Sequence, residues 1–283
     1  MAALVSTYGG RPVVAPALRE VPLDSNPEAL AFADALIRGE FDIVILLTGV
    51  GTRALLEVVE GAAGAARSRE AFVAALAKTK VVARGPKPLA VLRELKVPVW
   101  VTAPEPNTWR EVLAALDDKV ALDHKVAGGL QASGKTLSAL SVAVQEYGVS
   151  NPDLLKGLEA RGARVTPVPV YRWALPEDLE PLRAAVRSVA GGEVDVAIFT
   201  TGMQVVHLME VAATMQQEDA VREGLRRMVV ASIGPTTSEE LRRQRLHVDL
   251  DASHPKMGFL VREAAERSPD LLRAKQHPAS PRT

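Results

Sequence analysis

The chain contains no cysteine, which removes disulfides, thiolate metal ligands and cysteine nucleophiles together. Aromatic residues make up only 4% of it. The 47% apolar fraction is therefore carried by alanine, valine and leucine, the usual vocabulary of helices packed on parallel strands. Net charge is also missing, because 34 basic and 34 acidic side chains cancel. Without an overall field any anion must be gripped locally, which argues against nucleic acid or an anionic membrane as partner. No apolar run approaches the roughly 18 residues of a membrane span, and the first ten residues lack the basic and apolar regions of a signal peptide. A cytoplasmic protein is the expectation. His124, His207, His247, His254 and His277 are scattered without ligand spacing, so no metal site is expected.

What the chain does contain is itself, twice. At 283 residues it has the length of two domains, and three stretches recur in order. Residues 9–19, from Gly9 through Arg11 and Pro12 to Arg19, pair with 162–172, from Gly162 through Arg164 to Arg172. Residues 39–49 pair with 192–202 at the same offset of 153, each stretch being Gly-Glu followed by an aspartate, an apolar run and a Thr-Gly turn. Gly85 and Pro86 with their helix then pair with Gly234 and Pro235, and Pro106 with Pro255, both at an offset of 149.

Within each copy short Val/Ile-rich runs alternate with longer 3.6-period segments, in the order helix, strand, helix, strand, helix, strand, helix. That pattern predicts a parallel sheet with helical crossovers. The working loops of such sheets lie at the carboxyl ends of the strands. Here these are Thr48 to Gly51, Arg84 to Lys87, Thr200 to Gly202 and Ile233 to Thr237. Each opens a helix, whose first N–H groups and partial positive charge suit carboxylates or phosphates, and function is expected in a cleft between the two halves. One piece fails to repeat. The helix predicted from Pro152 follows a strand at residues 141–148, whereas its counterpart begins almost at Met1. Either the first unit starts one strand short or about a dozen upstream residues belong ahead of it.

The segments Pro169 to Arg172, Ile198 to Val205 and Ala231 to Leu241, in this order and spacing, resemble bacterial uroporphyrinogen-III synthase, and the resemblance runs from about Leu4 to Ala265. It implies two similar parallel-sheet α/β domains joined by two antiparallel linking strands, at about residues 17–24 and 170–178. The first domain would combine residues 1–20 with 177–266, lacking its first strand. The second, residues 25–169, would be inserted into it, leaving residues 267–283 as a disordered tail. The family closes the linear tetrapyrrole hydroxymethylbilane into uroporphyrinogen III, losing water and inverting the terminal pyrrole ring, with no metal or organic cofactor. A monomer binding only this small molecule is expected.

The site residues follow from the loops and the resemblance together. Tyr171 matches the family's linker tyrosine, whose phenol would assist departure of the hydroxyl. Substrate propionates would meet Thr48, Gly49, Thr200, Thr201, Gly234, Thr236 and Thr237 at the helix starts, and the charges of Arg84, Lys87 and Arg172. Arg19 and Arg53 are further cations near the same turns. Against these stand bland readings: threonines that only cap helices, a strand tyrosine and solvated charges. Residues 129–136, with Gly129, Gly134, Lys135 and Thr136, match a phosphate-loop pattern, but the segment leads into a strand rather than a helix. It is read as a surface insertion. The rival functional class is a non-catalytic ligand-binding or sensor protein on the same scaffold.

Overall fold

A computed structural model describes residues 1–23, 26–62, 68–126, 136–146, 148 and 150–276. The chain divides into two compact units, one made of Met1–Arg19 with Ala174–Thr283 and the other of Glu20–Trp173. It starts with α1 (Ala2–Thr7) and crosses on β1 (Arg19–Pro22). The second unit follows: α2 (Pro27–Ile37), β2 (Ile43–Leu46), α3 (Gly49–Gly61), α4 (Arg69–Lys78), β3 (Lys80–Ala83), α5 (Pro86–Glu94), β4 (Val101–Thr102), α6 (Trp109–Val126), β5 (Ser141–Gln145), α7 (Pro152–Ala160) and β6 (Arg164–Val168). The chain returns on β7 (Tyr171–Ala174), which pairs antiparallel with β1 in a two-stranded sheet. The first unit is completed by α8 (Glu180–Gly191), β8 (Val196–Phe199), α9 (Gly202–Thr214), α10 (Glu218–Arg227), β9 (Val229–Ser232), α11 (Pro235–Arg243), β10 (Leu250–Asp251) and α12 (Met257–Gln276).

The second unit is built on a five-stranded parallel sheet in the order β4-β3-β2-β5-β6. Its central strand β2 is apolar at every position and wholly buried, as a parallel strand covered on both faces must be. Successive side chains point to opposite faces. Val44 and Leu46 thus enter one core with Phe32, Leu36, Leu55 and Phe72, while Ile43 and Ile45 enter the other with Leu113, Leu116, Leu154 and Leu158. Helix α2 starts sharply because the Asn26 side chain accepts the Ala29 N–H at 2.9 Å and Pro27 occupies its first turn, where the missing N–H leaves no bond unmade. Ala29, Phe32, Ala33 and Leu36 form its buried stripe.

The first unit holds a three-stranded parallel sheet in the order β10-β9-β8. The repeat is visible in the backbone itself. Helix α3 begins at Gly49 and α9 at Gly202, α5 at Pro86 and α11 at Pro235. The left-handed residues also match in pairs: Gly9 (φ 81°) with Gly162 (90°), and Lys96 (55°) with Arg245 (57°).

Three expectations change. Residues 11–15, which the repeat pairs with the stretch that forms β6, are extended but unpaired, because no described strand stands beside them to complete a ladder. The helical segment after each Thr-Gly turn is two helices rather than one, with the second break at Gln216 in a left-handed conformation (φ 55°). The C-terminal helix runs through Pro269 to Gln276, past the expected start of a tail at residue 267. Its end is anchored: Lys275 Nζ donates to the carbonyls of Arg226 (3.0 Å) and Met228 (2.8 Å) and pairs with Asp249 (2.9 Å). Such tertiary bonds override the helix-breaking tendency of one proline.

Candidate functional site

In the second unit the loop after β2 turns directly into α3. Thr48 is its N-cap, its hydroxyl accepting the Gly51 N–H at 2.9 Å. Gly49 sits against the start of α5: a Cβ there would stand 2.9 Å from the Lys87 carbonyl oxygen, closer than atoms pack. Glycine at this position is what lets the two helix starts lie side by side. A Cβ at Gly51 would fall 2.1 Å from Gln145 Nε2, so the Gln145 amide fills the space that Gly51 leaves. From there Gln145 Oε1 accepts the N–H groups of Leu47 and Thr48, both at 3.3 Å. The loop after β3 lies against Asn107, whose amide, with its nitrogen turned toward them, reaches the carbonyls of Arg84 (3.0 Å) and Ala103 (3.1 Å).

The first unit repeats the arrangement with different side chains. Gly202 approaches α11, a Cβ there lying 2.9 Å from Glu240 Cβ. The amides of Thr200 and Thr201 are again bound by a glutamine, but it is Gln204 of the following helix, at 2.7 and 3.3 Å. Gln204 is the repeat counterpart of Gly51. The loop at Gly234 is supported by buried hydroxyls: Ser232 Oγ accepts the Gly234 N–H at 3.2 Å, and Ser238 Oγ lies 2.7 Å from Ser232 Oγ and donates to Asp251. Each unit thus presents two adjacent helix N-termini, α3 with α5 and α9 with α11, whose leading N–H groups and dipoles favour anionic ligands.

The residues singled out in sequence fall into distinct groups. Thr48, Gly49, Thr200, Thr201, Gly234 and Thr236 lie at the starts of α3, α9 and α11, and Lys87 lies in the first turn of α5. Thr236 is exposed, but Thr237 is 4% exposed and belongs to the packing of α11. Lys87 and Arg172 are exposed, whereas Arg84 is partly buried and engaged in an interaction. Arg53 pairs with Glu94 and Arg19 with Glu177. Tyr171 is 6% exposed and lies in the core of the second unit. His207, read as a helix-face residue, is buried and its Nδ1 lies 2.6 Å from the Ala17 carbonyl. Residues 129–135 of the phosphate-loop pattern lie outside the described residues, and the Thr136 hydroxyl donates to Asp117 at 2.9 Å. Among the described residues no cluster of His, Asp and Glu could hold a metal ion, and no helix is long and apolar enough to cross a membrane.

The supporting residues Gln145, Gln204, Asn107, Ser232 and Ser238 were missed by sequence reasoning. One signal was available: Gly51 and Gln204 occupy the same position of the repeat, so a glutamine gained in one copy against a glycine in the other hinted at exchanged roles.

Two parallel α/β units related by duplication, joined through a paired two-stranded link and each presenting twin helix starts, define a two-domain α/β class. A family model described as Uroporphyrinogen-III synthase HemD matches residues 1–262, and the chain belongs to that family. The chain is 28% identical over 267 residues to the “Uncharacterized protein YjjA” of Bacillus subtilis (strain 168), covering 93% of this chain and 89% of the relative. Among solved structures it is similar to a mutant uroporphyrinogen III synthase of the extremely thermophilic bacterium Thermus thermophilus, with 26% identity, a TM-score of 0.67, and coverage of 95% of this chain and 93% of that one. The wild-type enzyme of the same organism aligns at 27% identity and a TM-score of 0.49, over 95% and 92% of the two chains.

Proposed function

We propose that this protein cyclises hydroxymethylbilane to uroporphyrinogen III, with loss of water and inversion of the terminal pyrrole ring. The observation that carries the reading is the family match over residues 1–262, which takes in both units and all four helix starts. In the reaction the terminal C–O bond breaks, the hydroxyl takes up a proton and leaves as water, and the resulting azafulvene carbon is closed by the far end of the same chain. The protein's task is to hold the linear molecule so that the unrearranged ring position does not close first, which is chiefly positioning and exclusion of water.

The substrate carries eight carboxylates. Paired helix starts bring neutral leading N–H groups to them, at Gly49 and Thr236 among others, while the amides of Thr48, Thr200, Thr201 and Gly234 are taken up by Gln145, Gln204 and Ser232 and hold the loops in shape; such neutral donors suit a chain with no net charge. Lys87 and Arg172 add exposed cations. Thr237, being buried, would act only through the start of α11. The phenol of Tyr171 is assigned the proton given to the departing hydroxyl.

The test is to supply hydroxymethylbilane and separate the product isomers, because spontaneous closure gives uroporphyrinogen I. An excess of isomer III over an enzyme-free control is expected. Its absence with folded protein overturns the assignment. The second reading, a non-catalytic binding protein, has the burial of Tyr171 in its favour. It requires that the linear tetrapyrrole bind without any change in the isomer ratio.

A further inference from the structure

A second concentration of polar chemistry lies at the amino ends of β9 and β10, away from the helix starts. There a cavity of about 360 Å³ is lined by Arg222 and Arg226 of α10, by Arg245, Leu246 and His247 between α11 and β10, and by Lys275 of α12. Four of these six residues are cations and none is acidic. Gly234 stands at one end of α11 and Arg245 just past the other, so the nine-residue helix separates this cavity from the start of α11 by roughly 14 Å.

Basic residues at helix C-termini ordinarily do no more than match the dipole, and the repeat separates that role from another. Helix α10 corresponds to α4, and α11 to α5, at the offset of 149. Arg227 and Arg242 have basic counterparts in Lys78 and Arg93, so the dipole is matched in both copies. Arg222, Arg226 and His247 have none: Val73, Ala77 and Pro98 stand in their places. Leu246 and its counterpart Val97 are both buried. The packing beneath is therefore shared, and the charges around it belong to the first unit only.

Acidic neighbours offset part of this charge. Arg222 pairs with Glu218 at 2.7 Å and donates to the Gln244 carbonyl, and Arg226 pairs with Glu223. Lys275 is held by Asp249 and by the carbonyls of Arg226 and Met228, with His247 Nε2 at 2.8 Å. Arg245 has no ion-pair partner among the described residues, which leaves four cations against three carboxylates. The side chains of Arg222 and Lys275 are only 21% and 20% exposed, so solvent screens their charge less than it screens a surface cation. A guanidinium carries five N–H groups. The bonds named use two on Arg222 and one on Arg226, and donors remain on both.

We infer that this cavity is a second anion site, taking a compact oxyanion with two or more phosphoryl or carboxyl groups. Arg226 and Arg245, both exposed, grip it through paired N–H groups, Arg222 adds a donor from the wall, and Lys275 adds charge. Cations around a low-dielectric hollow concentrate anions even on a chain whose net charge is zero. The volume suits a small metabolite rather than a polymer. The inference uses residues of the first unit alone and does not depend on the cyclisation reading.

The test titrates pyrophosphate and citrate separately into the full chain by calorimetry at low salt, and repeats this with the double variant Arg226→Ala/Arg245→Ala. Saturable binding of at least one probe is expected, weakened at least about tenfold in the double variant and declining as salt is added. The tighter probe tells a phosphoryl from a carboxyl ligand. No saturable binding of either probe at millimolar concentration overturns the proposal. So does binding that is undiminished in the double variant, and its loss in Lys87→Ala would then assign the anion to the helix starts. If the double variant does not fold, hydrogen exchange of residues 244–248 in the unsubstituted chain must slow when the bound probe is added; unchanged exchange there counts against the site.

Discussion

Gly51 and Gln145 offer a sharp test of how the helix starts are supported, because the other unit shows a second solution to the same problem. Replacing Gly51 with alanine in a helix should gain about 1 kcal/mol of propensity. Here the new Cβ would lie 2.1 Å from Gln145 Nε2, and Gln145 is 1% exposed, so the amide has no open space to swing into. Overpacking of this kind costs about 1–3 kcal/mol. Loss of the bonds to the Leu47 and Thr48 amides adds about 1–3 kcal/mol. The net expectation for Gly51→Ala is destabilisation by about 1–4 kcal/mol, the clash outweighing propensity. Gln145→Ala alone should cost about 1–3 kcal/mol for the amides left unpaired. Combining Gly51→Gln with Gln145→Ala rebuilds the arrangement that Gln204 makes in the first unit, and the pair should be more stable than Gly51→Gln alone. Urea unfolding of the four chains gives the coupling energy directly, expected at about 2 kcal/mol in the rescuing direction. Additivity to within about 0.5 kcal/mol would refute the claim that the two residues share one space.

Tyr171→Phe should lower turnover of hydroxymethylbilane by about a hundredfold or more if the phenol donates the proton; unchanged turnover in a single-turnover assay removes that role. Lys87→Ala should leave stability within about 0.5 kcal/mol, since the side chain is exposed, but raise KM for the polycarboxylate substrate, and the difference from wild type should shrink as salt rises. Ser238→Ala should cost about 1–3 kcal/mol, read by thermal or urea unfolding, because it strips a buried partner from Ser232 and Asp251. Burial pushes the Asp249 carboxyl up, but hydrogen bonds from His247, the Val230 N–H and Lys275 outweigh it and hold the group below its ordinary value. The unfolded chain then takes up the proton more readily, so this stability is present above the ordinary carboxylate pKa of about 4 and is lost as pH falls through the folded value. Asp249→Asn should therefore cost about 1.5–3 kcal/mol at neutral pH and flatten the acid limb of stability against pH; an unaltered limb would show that the anchor of α12 does not depend on this charge.

Much of the fold was legible without coordinates, and for a definite reason. The paired stretches at constant offset encode local features, namely turn glycines, helix-starting prolines and threonines, and apolar runs of strand length, and each acts within a few residues of itself. Thr48 and Thr201 could be placed at helix starts on that basis, and Pro86 and Pro235 likewise. The residues that support those starts could not, because they act across the sheet: Gln145 is 97 positions from Thr48 along the chain and reaches it only through the pairing of β2 with β5.

The sequence by itself determined the duplication, the parallel α/β class and the four glycine- and threonine-rich helix starts, since periodicity and turn chemistry are local. Tertiary structure alone decided that Tyr171 lies in a core, that Thr237 is buried while Thr236 is exposed, that α12 continues to Gln276 on the strength of Lys275, and that among the described strands β2 is paired on both sides and β8 on one. Those outcomes depend on which distant segments come to lie side by side, and burial and pairing exist only once they do.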